Sequence, residues 1–298
     1  MKNILIIGCG LLGSSLARRI QKKKIAKKIY IYEKSKANIL KIKKLKLPGT
    51  IVSKLQDGVI KSDLIILCTP MSEYKNLILK MNKFLSPKTI ITDIGSSKLE
   101  SFKIIKKFLR KDIFWTSSHP IAGSEVSGPE NGKHDLFKNK WCILIKEKKT
   151  NPNHLNFLNK FWKKIGSKVV SMTSEKHDRI FSITSHLPHL IAYNLVKSAQ
   201  DFEKRQNYNL IKFSAGGLRD FSRIAASNEI MWRDIFFNNS KNMRAAIDLF
   251  IKNLKSFKKD IILKNNKSIL QKLIQTKKVR TKIIKLKHDI DKPDFGRS

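Results

Sequence analysis

Apolar and polar positions follow two regimes along this chain. In the first half, short apolar runs alternate with segments of helical spacing. Lys2–Ile7, Ile29–Glu33, Asp63–Thr69, Thr89–Asp93, Ile113–Ser118, Trp141–Lys146 and Lys168–Met172 read as strands. Between them, Leu11–Gln21, Ser35–Leu45, Glu73–Phe84, Lys98–Arg110 and Pro152–Ile165 place apolar residues on one helical face. Pro48-Gly49, Pro70 and Ser86-Pro87 punctuate the pattern. Strands alternating with helices predict an α/β unit, a doubly wound parallel sheet. From Ser174 onward the spacing is helical only: Ser174–His186, Pro188–Phe202, Leu218–Ser227, Asn228–Phe237, Ser240–Leu263 and Lys267–Leu286. The expected organisation is a sheet domain over residues 1–170 and an all-helical domain over 171–298, with the boundary near 165–175.

The first strand runs into Gly8-Cys9-Gly10-Leu11-Leu12-Gly13. In a strand–turn–helix context this G-x-G-x-x-G suits a dinucleotide. Gly8 permits the tight turn, Gly10 admits a pyrophosphate close to the backbone, and Gly13 lets helix and strand pack. The N–H groups of the opening helical turn, Leu11 and Leu12 included, then face the phosphates. Glu33 ends the next strand, where a carboxylate hydrogen-bonds the adenosine ribose and repels a 2′-phosphate. That favours NAD, while Lys34 and Lys36 leave NADP open. Thr69-Pro70 ends another strand and is read either as a wall along the cofactor or as a simple strand stop.

The richest chemistry lies in Ser117-Ser118-His119-Pro120-Ile121-Ala122-Gly123-Ser124-Glu125-Val126-Ser127-Gly128-Pro129. Proline and glycine argue for a loop presenting polar groups at a strand end. His119 is the candidate base for a substrate hydroxyl, since an imidazole titrates near neutrality. Ser96 and Ser97 follow the strand Thr89–Asp93, where they either meet ligand or cap the next helix. His186 and His189 are expected at a break between helices. Arg219 and Arg223 lie one turn apart after a Gly216-Gly217 hinge, suited to a carboxylate substrate or to a salt-bridge face with Asp220. His177-Asp178 reads as an interface, an active-site edge or an exposed helix face. No cysteine or tight histidine spacing supports zinc on His177, His186 and His189, so no metal is expected.

Composition changes this picture little. The 298 residues hold 62 Lys and Arg against 23 Asp and Glu, a formal charge of +39. Because lysine dominates and aromatics do not interleave with arginine, a solvated surface that draws in an anionic substrate is favoured over nucleic-acid binding. The three cysteines lie in or beside apolar runs and form no pair motif, which fits a reducing compartment, and no apolar run is long enough to span a membrane. A cytoplasmic location is therefore expected.

Several segments in order resemble the prephenate dehydrogenase family, which includes the arogenate and cyclohexadienyl dehydrogenases. They are Gly8–Gly13, Asp93-Ile94-Gly95-Ser96-Ser97-Lys98, His119–Glu125, Ser185–His189, Gly216–Ala225, Met231–Phe236 and the tail Pro293–Arg297. The resemblance implies a Rossmann-type NAD(P)-binding domain, a helical dimerisation domain and a homodimer. It implies oxidative decarboxylation of prephenate to 4-hydroxyphenylpyruvate, or of arogenate to tyrosine. His119 and Ser96 would be catalytic, and Glu125, His186, His189, Arg219 and Arg223 would bind substrate. Gly8, Gly10, Leu11, Leu12, Gly13, Glu33, Thr69, Pro70 and Ser96 would hold the cofactor. No chorismate mutase helix and no regulatory domain is seen, so feedback by tyrosine is not expected from such a module. A competing β-hydroxyacid-type dehydrogenase would carry a catalytic lysine where this chain offers His186 and His189.

Overall fold

The computed structural model describes residues 2–206, 209 and 211–286; the tail motif Pro293–Arg297 lies outside these. The first half builds a parallel sheet in the order β3-β2-β1-β4-β5, from β1 (Lys2–Ile7), β2 (Ala26–Tyr32), β3 (Thr50–Ile51), β4 (Leu64–Leu67) and β5 (Ile90–Asp93). After β3 the chain crosses back to the other side of β1 to lay down β4, so the carboxyl ends of β1 and β4 flank the point where strand order reverses. Open sheets bind ligands at that place.

The apolar runs are continuous because both faces are covered. Ile4, Ile6, Leu64 and Ile66 pack with Leu16 and Ile20 of α1 (Leu11–Lys22) and with Phe161 and Trp162 of α6 (Pro152–Ile165). Leu5, Ile7, Ile65 and Leu67 face the other way. They meet α3 (Leu55–Ile60), α4 (Tyr74–Met81) and α5 (Leu99–Phe108). The pattern missed α3 because it is a single short turn-and-a-half whose Gly58 packs against Leu5: a Cβ there would lie 2.8 Å from Leu5 Cδ1.

The remaining strands form a second sheet in the order β6-β7-β8, from β6 (Ser118–Pro120), β7 (Trp141–Ile145) and β8 (Lys168–Met172). β6 runs antiparallel to β7, and β7 is parallel to β8. The expected strand Ile113–Ser118 forms no ladder with β5, meeting its backbone at an isolated bridge between Trp115 and Ile91, then continues into the second sheet. The segment holding His119 is thus a strand rather than a loop. Pro120 is tolerated because β6 is an edge strand.

Among the described residues no strand follows β8. Helix α7 (Ser174–Phe181) continues through a widened π-turn, Ser182–His186, into α8 (Leu187–Gln206). The expected break between helices is this π-turn. Pro188 has no N–H to close the regular bond one turn back, and the wider turn absorbs the defect. Then come α9 (Gly216–Ala225), α10 (Glu229–Asn238), α11 (Ser240–Ile262) and α12 (Asn266–Lys285). Gly216 and Gly217 are the first turn of α9, not a hinge before it. Trp232 and Ile235 of α10 bury into the core on the α3–α5 side of the sheet. That packing draws the helical half over the carboxyl edge.

Candidate active site

The nucleotide turn has the shape that the glycines predict. Gly8 adopts φ +87°, a conformation costly for any side chain, and a Cβ at Gly13 would lie 2.2 Å from the Gly8 carbonyl oxygen. A Cβ at Gly10 would have nothing within 4 Å, so that face of the turn is open. Helix α1 starts at Leu11 without a side-chain cap and without an acidic residue in its first turn. Its amino end therefore offers unneutralised N–H groups and a positive dipole to an anion. Glu33 follows β2 and is fixed by backbone donors: Cys9 N–H at 2.7 Å on one oxygen, Lys34 and Ser35 N–H at 2.9 Å on the other. Thr69, after β4, packs its methyl group against Gly8 and keeps a buried Oγ1 with no hydrogen-bond partner. An open glycine cradle, an uncapped helix end, an anchored carboxylate and an orphaned hydroxyl together fit a dinucleotide. Pro70 is exposed beside Thr69.

Ser96 follows β5 on the same edge and is half-buried. Ser97 donates to Met71 Sδ instead of capping α5. The cap comes from the other half of the chain. The Asp178 carboxylate accepts the Lys98 and Leu99 N–H groups, each at 2.8 Å. Below this turn, Lys98 and Asp93 form a fully buried ion pair at 2.6 Å, and Lys98 Nζ also donates to the Ser118 carbonyl at 2.7 Å. Tyr74, Gly95 and Trp115 complete the donors around Asp93. This cluster ties the end of β5 to β6, and so sets where His119 stands.

His119 is buried, and its Nδ1 lies 2.8 Å from His177 Nε2. His177 Nδ1 in turn lies 2.7 Å from Asp178 Oδ1. Burial first, then the neighbouring His177, Lys98 and His186, push the His119 imidazole well below its ordinary range. It is a neutral ring at physiological pH. His177 and Asp178 are buried completely, which excludes the exposed helix face among the readings of this pair. The alternation pattern carried no signal for it, because the contact joins β6 to α7 across the two halves.

The helical half supplies the rest. His186 sits at the end of the π-turn, with Nδ1 3.1 Å from Asn239 Nδ2. Its Nε2 approaches the Ser96 main chain without closing a hydrogen bond, and burial brings this ring down to about 4. His189 donates from Nδ1 to the Ser185 carbonyl at 2.9 Å and stacks on Trp232 with ring centroids 3.7 Å apart. Arg223 reaches Glu125 at 3.3 Å across the opening, and Arg219 is exposed one turn earlier on α9. The Glu125 carboxyl is held below its ordinary value by its own backbone N–H and the Ser124 hydroxyl, with Arg223 adding to both. Asn239 and Trp232 thus emerge as site residues. Asn239 had no sequence signal, and Trp232 only its place in Met231–Phe236. Among the described residues no group of three or more His, Cys, Asp or Glu is arranged for a metal ion, and no helix is long and apolar enough to cross a membrane.

Two family models match in succession: "Prephenate dehydrogenase, nucleotide-binding domain" over residues 16–171, and "Prephenate dehydrogenase, dimerization domain" over residues 173–276. The chain is 33% identical over 289 residues to the cyclohexadienyl dehydrogenase of Zymomonas mobilis, covering 97% of this chain and 98% of that one. It is 31% identical over 253 residues to the prephenate dehydrogenase of Bacillus subtilis, covering 84% and 68%. The crystal structure of Aquifex aeolicus prephenate dehydrogenase in complex with hydroxyphenyl propionate and NAD+ superposes with a TM-score of 0.88 at 32% identity, covering 95% of this chain and 98% of that one. The glycine cradle, the buried histidines and these likenesses lead to one conclusion: the chain belongs to the prephenate dehydrogenase family of oxidoreductases.

Proposed function

We propose that this chain oxidises and decarboxylates prephenate, with arogenate as the second substrate to be tested, using NAD. The observation that carries the proposal is His119: a buried, neutral imidazole held by His177 next to the end of β5, with Lys98 and His186 beside it. Bound in that cradle, NAD would supply the hydride acceptor. Gly8 and Gly13 keep the turn tight, the open face at Gly10 would admit its pyrophosphate, the Leu11, Leu12 and Gly13 N–H groups would face its charge, and Glu33 would select against a 2′-phosphate. Thr69, Pro70 and Ser96 line its path toward the substrate.

His119 accepts the proton of the ring hydroxyl as hydride leaves the same carbon, so the ring oxygen becomes a carbonyl. Loss of carbon dioxide returns the bonding pair through the ring to that oxygen, and His119 gives the proton back to the resulting phenolate. Aromatisation drives the step. Arg223 holds a substrate carboxylate, for which its exposed contact with Glu125 is a replaceable partner. His189, stacked on Trp232, presents its unprotonated Nε2 to the pocket. Arg219 and His186 contribute donors at its margin.

This reading divides the chain at residues 1–170 and 171–298 and makes it a cytoplasmic homodimer. Leu249, Leu254, Leu270, Leu273 and Ile274 are exposed along α11 and α12, an apolar face that a second copy would cover. The test is NADH or NADPH formation with prephenate and arogenate, each with NAD and NADP, on wild type and His119→Asn. Prephenate turnover with NAD that collapses in the variant supports the proposal. Folded protein that binds NAD and turns over neither substrate refutes it.

A further inference from the structure

The chemistry above needs His119 to carry its proton on Nδ1, leaving Nε2 as the acceptor, and a neutral imidazole in water does not hold to that form. We propose that Asp178, acting through His177, is the positioning device that locks His119 as the Nδ1–H tautomer.

The proton positions follow from the donors and acceptors, beginning at Asp178, the one fixed end. Both Asp178 oxygens already receive backbone N–H groups, from Lys98 and Leu99. The third contact, between Oδ1 and His177 Nδ1 at 2.7 Å, therefore has a carboxylate as acceptor and requires a proton on His177 Nδ1. Burial holds the His177 ring below its ordinary value even against the pull of Asp178, so the ring is neutral and carries a single proton. Its Nε2 is then a lone pair. The 2.8 Å contact from His177 Nε2 to His119 Nδ1 is a hydrogen bond only if His119 donates. Neutral His119 has one proton, on Nδ1, and Nε2 is bare. The reverse order, with His177 protonated on Nε2 and donating to His119 Nδ1, would leave the bare His177 Nδ1 facing the buried Asp178 carboxylate, two acceptors in contact at 2.7 Å. The polarity originates in the amino end of α5, whose N–H groups fix Asp178 as an acceptor, and it is passed on across the junction between the two halves of the chain. Phe181, with its ring centroid 5.0 Å from that of His119 and 4.5 Å from that of His177, packs against both rings and limits their rotation.

This inference rests on His119 as the base, and its test separates the two. Nitrogen-15 NMR of histidine-labelled protein without substrate reads each ring's tautomer directly, with His119→Asn used for assignment. His119 is expected protonated on Nδ1 and bare on Nε2. In His177→Gln an amide can still accept from His119 and donate to Asp178, so the tautomer and most of kcat persist. In His177→Leu both roles vanish, Asp178 still caps α5, and kcat falls about a hundredfold or more with KM for prephenate unchanged, the pattern expected when a base is left in the wrong tautomer. In Asp178→Asn the His119 signal moves toward Nε2–H. A wild-type His119 found as Nε2–H, or a His177→Leu enzyme with full kcat and an unaltered His119 signal, overturns the proposal. An Nδ1–H signal in a protein that turns over neither substrate upholds the tautomer lock and refutes the assigned reaction instead.

Discussion

Replacing Lys98 by Met removes a charge that the interior has already enclosed, and the structure sets the size of the effect. Both side chains of the Lys98–Asp93 pair have no solvent exposure, and Nζ closes a 2.6 Å contact with Asp93 and a 2.7 Å bond to the Ser118 carbonyl. Methionine keeps the length of the aliphatic stem, so little cavity forms. What remains is an Asp93 carboxylate with neutral donors alone, Tyr74, Gly95, Trp115 and Ser117, and no countercharge. Breaking a buried pair from one side costs about 3–5 kcal/mol. That is a large share of the roughly 5–15 kcal/mol of a folded domain. Burial alone would push the Asp93 carboxyl up, and it is the Lys98 charge and hydrogen bond, with Ser117 and Trp115, that bring it below its ordinary value. The wild-type pair therefore contributes stability above the ordinary carboxylate range that is lost only as pH falls through the depressed folded value. In Lys98→Met the folded value rises instead, so the deficit is largest at neutral pH and narrows on acidification, as Asp93 takes a proton. Asp93→Asn combined with Lys98→Met removes both charges and should recover most of the loss. The assay is urea unfolding followed by circular dichroism, without NAD and at fixed protein concentration, since ligand and assembly both shift the midpoint. A deficit under about 1 kcal/mol at neutral pH, or a double variant no more stable than Lys98→Met, would show that the pair does not hold β5 to β6 as argued.

Acid should destabilise the fold through its buried histidines: the unfolded chain binds protons near pH 6.5, whereas folded His186 waits until about 4, so stability is complete above 6.5 and declines below it. That one ring accounts for roughly 3 kcal/mol across the interval. Urea midpoints between pH 4 and 7 check this, and a flat wild-type profile, or no flattening in His186→Asn, contradicts it. Gly13→Ala places a Cβ 2.2 Å from the Gly8 carbonyl oxygen, so the turn must move, and calorimetry should show at least about tenfold weaker NAD binding. Arg223→Ala breaks a contact whose side chains are 45% and 29% exposed, so thermal stability should change by no more than about 1 kcal/mol. Its KM for prephenate should nevertheless rise about tenfold or more, and an unchanged KM would remove Arg223 from the carboxylate site.

The site couples the two halves more tightly than a shared cleft requires. The helix that carries Ser96 and Lys98 at its entrance is capped by Asp178 from α7, and Asn239, between α10 and α11, donates to the Asp178 carbonyl while meeting His186. Trp232 from α10 is at once a core residue of the sheet domain and the plate on which His189 rests. A displacement of the helices would thus disturb the cap of α5, the orientation of His119 and the pocket wall together. Such coupling keeps catalytic geometry from depending on any single loop.

Local and periodic information in the sequence determined most of the framework. Lys2–Ile7, Pro152–Ile165 and Lys168–Met172 are the same segments in pattern and in structure, because apolar spacing and strong breakers act within a few residues. The glycine turn was legible for the same reason: Gly8, Gly10 and Gly13 answer to constraints a dozen residues across. The short α3, the division into two sheets and the antiparallel β6 were not legible, since each depends on which neighbour a segment meets. The site divides along the same line. His119, Ser96, His189 and Arg223 were marked by their residue types and motifs. The relay from Asp178 through His177, the buried Lys98–Asp93 pair and the Asn239 contact exist only in tertiary structure. A hydrogen bond between residues 58 positions apart, like that of His119 and His177, leaves no period in a sequence; it follows from packing α7 against β6, which the whole core decides.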